Sequence, residues 1–229
     1  ENITMQTNLI HSAFKCNIKN LIFLGSSCVY PRKCKQPIKE DYLLSGYLEK
    51  TNDAYATAKI AGIKMCQSYN QQYGTRYLSL MPTNTYGKND NYHSLNSHFL
   101  PSLIKKTHML KKSKSKKIVI WGNGKAKREI IFVDDIADAC VYFMNKKTKH
   151  DIINIGTGKE FSINQYVKKI LKILIPDQKI KIVYDKTKPN GTPRKVLNIK
   201  IAKSYGWTAK SRFKETILET YKNYIEETQ

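Results

Sequence analysis

Long apolar runs are missing from this 229-residue sequence. None approaches the roughly 18 residues that a membrane-crossing helix needs, and no charged-then-apolar leader follows Glu1. Cysteine is sparse and shows no pairing pattern. Cys16, Cys28, Cys34, Cys66 and Cys140 are odd in number and widely spaced, with no C-x-x-C. That argues against a disulfide framework and against a zinc site, so no metal is expected. Reduced thiols in a cytosol are the simpler reading, and a cytoplasmic location is expected. Acidic residues are also scarce, with 18 Asp and Glu against 40 Lys and Arg, for a formal charge of +22.

Such a charge invites a nucleic-acid reading. Its densest part is Lys105, Lys106, Lys111, Lys112, Lys114, Lys116 and Lys117. However, lysine is spread along the whole chain beside abundant Asn, Ile and Tyr, as A/T-biased coding produces. No helix-turn-helix, zinc-finger or RNP signature is present. No specific nucleic-acid partner and no membrane partner are therefore expected. A catalytically silent basic binding protein stays open as an alternative. With 41% hydrophobic and 25% charged residues, the chain can bury a sizeable core.

What is present alternates between two periods. Residues 2–16 read as a helix, and Asn20–Gly25 as a buried parallel strand ending on glycine. Residues 31–52, with Pro31, Pro37 and Gly46, read as a loop long enough to suggest function. A helix at 53–73 and a strand at 77–81 follow, then a loop to about Asn96. Next come a helix near 97–110 and strands at 117–121 and 129–133. Asp134 or Asp135 offers an N-cap for a helix carrying Ile136, Ala139, Cys140, Phe143 and Met144. A strand at 152–155 leads to a helix capped by Ser162. A strand at 180–184, a turn-rich Lys188–Pro193 and a terminal helix with Phe213, Ile217, Tyr221, Tyr224 and Ile225 complete the chain. This alternation predicts an α/β fold with a largely parallel sheet.

The strongest local chemistry is Ser26, Tyr55 and Lys59. Ser26 follows the buried strand. Tyr55 and Lys59 are spaced i, i+4 and share one helix face. A lysine cation nearby favours a phenolate and is expected to lower the Tyr55 pKa. The pair would then give and take protons near neutral pH, as carbonyl–alcohol interconversion requires, with Ser26 bonding the same oxygen. On spacing alone, Tyr55 and Lys59 fit a solvated helix face equally well. Gly122-x-Gly124 and Gly156-x-Gly158 lack the full spacing of either phosphate-binding glycine motif and read as turns.

The wider context carries a resemblance. Leu24-Gly25-Ser26-Ser27-Cys28-Val29-Tyr30-Pro31, Gln36–Glu40, Tyr55–Lys64, Met81-Pro82-Thr83-Asn84-Thr85-Tyr86-Gly87, Asn96-Ser97-His98 and Gly191-Thr192-Pro193-Arg194-Lys195 resemble the GDP-L-fucose synthase family of extended short-chain dehydrogenases, over nearly the whole chain. The resemblance implies NADPH-dependent conversion of GDP-4-keto-6-deoxy-mannose to GDP-L-fucose. It implies Ser26, Tyr55 and Lys59 as the catalytic triad, and Cys28 and His98 as the acid/base pair for epimerisation. Without the motif, Cys28 reads as a small core residue and His98 as a helix-start residue. The same resemblance implies NADP(H) contacts at Leu24, Gly25, Ser26, Ser27, Lys59, Pro82, Thr83, Asn84, Thr85 and His98. It implies GDP-sugar contacts at Lys106, Trp121, Arg128 and Asn190. Trp121 also fits a strand-end core residue. Asn190 departs from the family's usual Asp, and Thr85 from its usual Leu. Related 4,6-dehydratases place an Asp-Glu pair after the serine–threonine segment, where this chain has Ser-Ser-Cys-Val-Tyr. Another nucleotide-sugar epimerase or reductase is the nearer alternative.

By comparison with the family, the first βαβ units, with their glycine-rich pyrophosphate turn, are expected to be missing. The expected fold is thus a partial Rossmann-type parallel sheet with a smaller C-terminal α/β substrate-binding domain. Residues 1–96 would form the remainder of the NADP-binding domain, and residues 97–229 mainly the GDP-sugar domain. The family's homodimer is expected of the full-length enzyme, while the chain alone is expected to be inactive.

Overall fold

The computed structural model describes residues 1–93, 97–113, 115–188 and 190–228. Asn96, Lys114 and Pro189, singled out above, lie outside the described residues. Helix α1 (Asn2–Lys15) precedes β1 (Asn20–Leu24). Helix α2 (Asp53–Tyr73) ends on Gly74, whose φ of 63° closes it in the left-handed conformation. Strand β2 (Arg76–Pro82) lies between β1 and β7 (Ile152–Ile155), and both pairings are parallel.

Side chains of β2 alternate between two cores, as a period of two demands. Tyr77 and Met81 pack with Ile10, Phe23, Ile60 and Ile63 beneath α1 and α2. Leu78 and Leu80 pack with Ile136, Ala139, Phe143 and Trp207 beneath α4 (Val133–Met144) and α6 (Lys200–Ser204). Both faces of the sheet are covered, which explains why β2 is nearly continuous in buried residues.

The other part of the chain builds a third core. Strand β4 (Lys117–Trp121) pairs in parallel with β9 (Lys181–Asp185). Helices α3 (Phe99–Lys112), α5 (Ile163–Leu174) and α7 (Phe213–Thr228) enclose Leu103, Ile104, Ile118, Tyr166, Ile170 and Ile217. Two small sheets join the parts. Strand β3 (Asn84–Tyr86) pairs with β6 (Ile130–Phe132). Strand β5 (Lys127–Arg128) lies between β10 (Arg194–Lys195), parallel, and β8 (Phe161–Ser162), antiparallel.

Local differences from the sequence reading have physical causes. Strand β3 lies where a loop is expected, because its pairing with β6 is long-range. Neither Asp134 nor Asp135 caps α4. Phe132 holds the N-cap position, with no side-chain bond. Asp135 instead accepts the backbone N–H groups of Lys210 and Ser211, at 2.9 and 3.2 Å, and anchors the segment before α7. Ser162 does cap α5, in a reciprocal capping box with Gln165. Among the described residues, no helix is long and apolar enough to cross a membrane.

Candidate active site

The site grows from the carboxyl end of β1. The Gly25 N–H donates to Leu80 O at 2.9 Å, and a Cβ on Gly25 would meet Met81 Sδ at 2.5 Å. A larger residue there would require the Met81 side chain to shift. The chain then turns. The Ser26 hydroxyl accepts the Cys28 N–H at 3.2 Å and starts a single 3-10 turn over Ser27–Val29. That turn sets Ser26 and Cys28 beside the amino-terminal turns of α2, where Tyr55 and Lys59 lie.

Lys59 reaches from α2 back to the strand. Its Nζ donates to Leu24 O at 2.9 Å and lies 5.1 Å from the Phe23 ring centroid and 5.9 Å from that of Tyr55. Burial lowers its pKa. The Tyr55 phenol departs from expectation, because its pKa is raised rather than lowered. Half-burial is the main cause, a negative charge on Cys28 adds to it, and a hydrogen bond from Ser26 only partly offsets both. The ammonium that was to lower it is held by the Leu24 carbonyl instead. In this arrangement Tyr55 is a neutral proton donor.

Cys28 goes the other way. Burial pushes its thiol up, but the Lys195 ammonium and hydrogen bonds from Ser26, Lys195 and Asn52 more than offset this, and its pKa is lowered. Lys195 Nζ stands 3.4 Å from Cys28 Sγ.

The remaining sequence-predicted residues fall into separate groups. Of the cofactor contacts, Leu24 is exposed at the strand tip, while Ser27 is buried. Pro82 ends β2 opposite Ile155. Thr83 and Asn84 turn inward. The Thr83 hydroxyl and the Asn84 amide both donate to Glu129 O, at 3.3 and 2.8 Å, and Thr85 donates to Thr83 O at 3.3 Å. The sequence has no G-x-G-x-x-G turn for a dinucleotide's pyrophosphate.

His98 is exposed at the N-cap position of α3, and its ring makes no hydrogen bond among the described residues. The nearby Asp90 carboxyl is pushed up by burial, which the Asn91 N–H and then His98 offset only in part. The structure shows no contact between His98 and the Cys28 group.

Lys106 and Trp121 do come together. Trp121 is 49% exposed at the end of β4, so the core reading fails for it. Lys106 Nζ lies 5.9 Å and Lys188 Nζ 5.5 Å from its ring centroid. The result is a flat aromatic face flanked by two ammonium groups. Arg128 donates to Thr192 O and Lys127 O, so two of its bonds are already made within the protein. Asn190 Oδ1 accepts the Asn123 N–H at 2.8 Å and holds the Gly122–Gly124 turn. An Asp at that position would make the same bond, so the departure costs nothing at this turn.

Sequence reasoning missed four residues. Lys195 appeared only as the end of a motif, although it lies against Cys28. Asn52 bonds Cys28 from just before α2. Lys188 completes the Trp121 face. Glu129 is fully buried. Its carboxylate accepts the N–H groups of Gly158 and Leu197, at 2.6 and 2.7 Å. The one available signal for Glu129 is a carboxylate at the start of an apolar strand, a residue that must be bonded if buried.

Comparison with known proteins gives the family. Residues 1–156 match the NAD dependent epimerase/dehydratase family. The chain is 46% identical over 225 residues to the putative GDP-L-fucose synthase 2 of Arabidopsis thaliana, covering 98% of this chain and 68% of that protein. It is 40% identical to the GDP-L-fucose synthase of Escherichia coli K12, covering 99% of this chain and 73% of that one. A GDP-L-fucose synthetase from Naegleria fowleri, solved bound to NADP, superposes with a TM-score of 0.90 at 26% identity, over 99% of this chain and 72% of that one.

Proposed function

Because the chain belongs to the NAD dependent epimerase/dehydratase family, and within it to the GDP-L-fucose synthases, we propose that it carries the site for converting GDP-4-keto-6-deoxy-D-mannose to GDP-L-fucose. The observation that carries this reading is the meeting of a neutral phenol (Tyr55), an ammonium (Lys59) and a thiol of lowered pKa (Cys28) at one strand end. A reductase alone would need only the first two.

The chemistry follows from the residue types. Protons at C3 and C5 of the sugar flank the C4 ketone, so removal of either gives an enolate. Cys28, as thiolate, takes the proton, and Tyr55 donates a hydrogen bond to the enolate oxygen. His98 returns a proton from the opposite face. After both inversions Tyr55 gives its proton to the C4 oxygen, Ser26 holds the phenol by a hydrogen bond, and Lys59 stands 5.9 Å from its ring as the nearby positive charge. Bound NADPH supplies the hydride for that reduction. Trp121, with Lys106 and Lys188, offers a stacking face and positive charge to the GDP moiety, and Arg128 offers its remaining N–H groups to the diphosphate. Residues 1–96 would serve the cofactor and residues 97–229 mainly the sugar nucleotide. Helix α1 leaves Met5 and Leu9 exposed one turn apart on one face, an apolar pair that suits the expected homodimer.

The 229-residue chain by itself should not turn over, because its sequence supplies no glycine-rich turn for the cofactor's pyrophosphate. Titration with NADPH, followed by cofactor fluorescence, should show no saturable binding. GDP-L-fucose should form from the keto sugar and NADPH only in a form that also bears such a turn. Saturable micromolar binding, or product from the chain alone, would contradict the cofactor part of this reading. Absence of product from the completed form would contradict the substrate part.

A further inference from the structure

We propose that Lys195 is the counter-ion of Cys28, a positioning residue delivered to the proton-transfer site by the segment Thr192–Asn198. The proposal rests on the reading of Cys28 as a base and adds what makes it one.

The first ground is contact. Lys195 Nζ donates to Cys28 Sγ at 3.4 Å, across 167 residues of sequence. The second is how firmly the lysine is held. Strand β10 pairs with β5 so that Lys195 opposes Arg128, and the Glu129 N–H donates to Lys195 O at 3.1 Å. On the other side, the Val196 N–H donates to Gln36 Oε1 at 3.0 Å, and the Ile38 N–H to Val196 O at 2.8 Å. The buried carboxylate of Glu129 fixes Leu197. The backbone carrying Lys195 is therefore stitched both to the loop after Cys28 and to β5.

The third ground is charge balance. A small cavity beside Cys28 is lined by Arg32, Glu49, Arg194 and Lys195. Arg32 pairs with Glu49 at 3.2 Å, and Arg194 with Glu160 at 2.7 Å. Lys195 has no carboxylate partner among the described residues. Tyr55, the titratable group on the α2 side, is held neutral by burial and by Cys28 itself. One cation is left over; it bonds the Cys28 sulfur and also acts on the Cys34 thiol, where burial outweighs it. Cys66 shows the effect of its absence: buried with only neutral bonding partners and an acidic Asp151 in range, that thiol is pushed up to about 12.

The test uses the 229-residue chain and needs neither cofactor nor sugar. Alkylation by iodoacetamide is followed against pH, with each cysteine resolved by peptide mass spectrometry, and the exposed Cys16 is the internal standard. Cys28 should reach half-maximal reactivity at a lower pH than Cys16. Lys195→Met should move that midpoint upward and slow alkylation of Cys28 near neutral pH by about tenfold, the effect of one pKa unit on thiolate fraction. Lys195→Arg should restore most of it, and Cys16 should not change. If circular dichroism shows Lys195→Met unfolded, Lys195→Gln takes its place. A wild-type Cys28 midpoint at or above that of Cys16 overturns the proposal, as does an unmoved midpoint in the folded neutral variant. Because the readout involves no substrate, a failed fucose-nucleotide assay leaves this result standing.

Discussion

Tyr55→Phe should lower the rate of ketone reduction by about 10²–10⁴-fold, the usual contribution of a positioned proton donor. The measurement is NADPH oxidation with GDP-4-keto-6-deoxy-mannose, in a form that carries a glycine-rich dinucleotide turn. Tyr55 is half-buried, bonded by Ser26 and kept neutral by its surroundings. Removing its hydroxyl leaves the developing C4 oxyanion without a proton source, while Cys28 keeps its Lys195 partner. Exchange of sugar protons should therefore survive, slowed by loss of the hydrogen bond to the enolate. A Tyr55→Phe enzyme that reduces within about threefold of wild type would be far below the range expected of a catalytic acid and would move that role elsewhere.

Glu129→Ala should produce the largest loss of stability of the changes considered, about 3 kcal/mol from stranding the buried N–H groups of Gly158 and Leu197. Burial raises the Glu129 pKa above its ordinary value of 4.5, outweighing the N–H bonds it accepts. The sign of the linkage follows. A raised folded pKa means that the folded chain holds this proton better than the unfolded chain. The contribution of Glu129 is then greatest below the ordinary carboxyl value and is lost as pH rises through the folded one. Urea midpoints at several pH values should show a smaller gap between wild type and Glu129→Ala on the alkaline side of that window. A loss under about 0.5 kcal/mol, the range of an ordinary surface change, would mean that the stitch is not held by this carboxylate.

The parts of this molecule legible in the sequence are those set by local pattern. Asn20–Leu24 is apolar and ends on glycine, and α2 runs its full predicted length to Gly74. Ser162 caps α5 because its bond partner is three residues away. Tyr55 and Lys59 share a helix face for the same local reason. What escaped depends on distant partners. Strands β3, β5, β8 and β10 are two or three residues long and exist only because another segment pairs with them. Asp135 offers a cap by type but is engaged by Lys210 and Ser211. The direction of the Tyr55 shift was misread because the i, i+4 rule places Lys59 near the ring without revealing that its ammonium is committed to Leu24 O. Lys195 was out of reach of any spacing argument, since folding alone brings it to Cys28.

If one strand end both epimerises and reduces, solvent deuterium must enter the sugar beside the C4 ketone. A form that carries a glycine-rich dinucleotide turn is incubated with GDP-4-keto-6-deoxy-mannose in D₂O, and the recovered sugar nucleotide is analysed by mass spectrometry and proton NMR. The account predicts deuterium at both C3 and C5 with wild type, and strongly slowed uptake at both with Cys28→Ser and with His98→Asn. Wild-type uptake at C3 and C5 in both variants would contradict it.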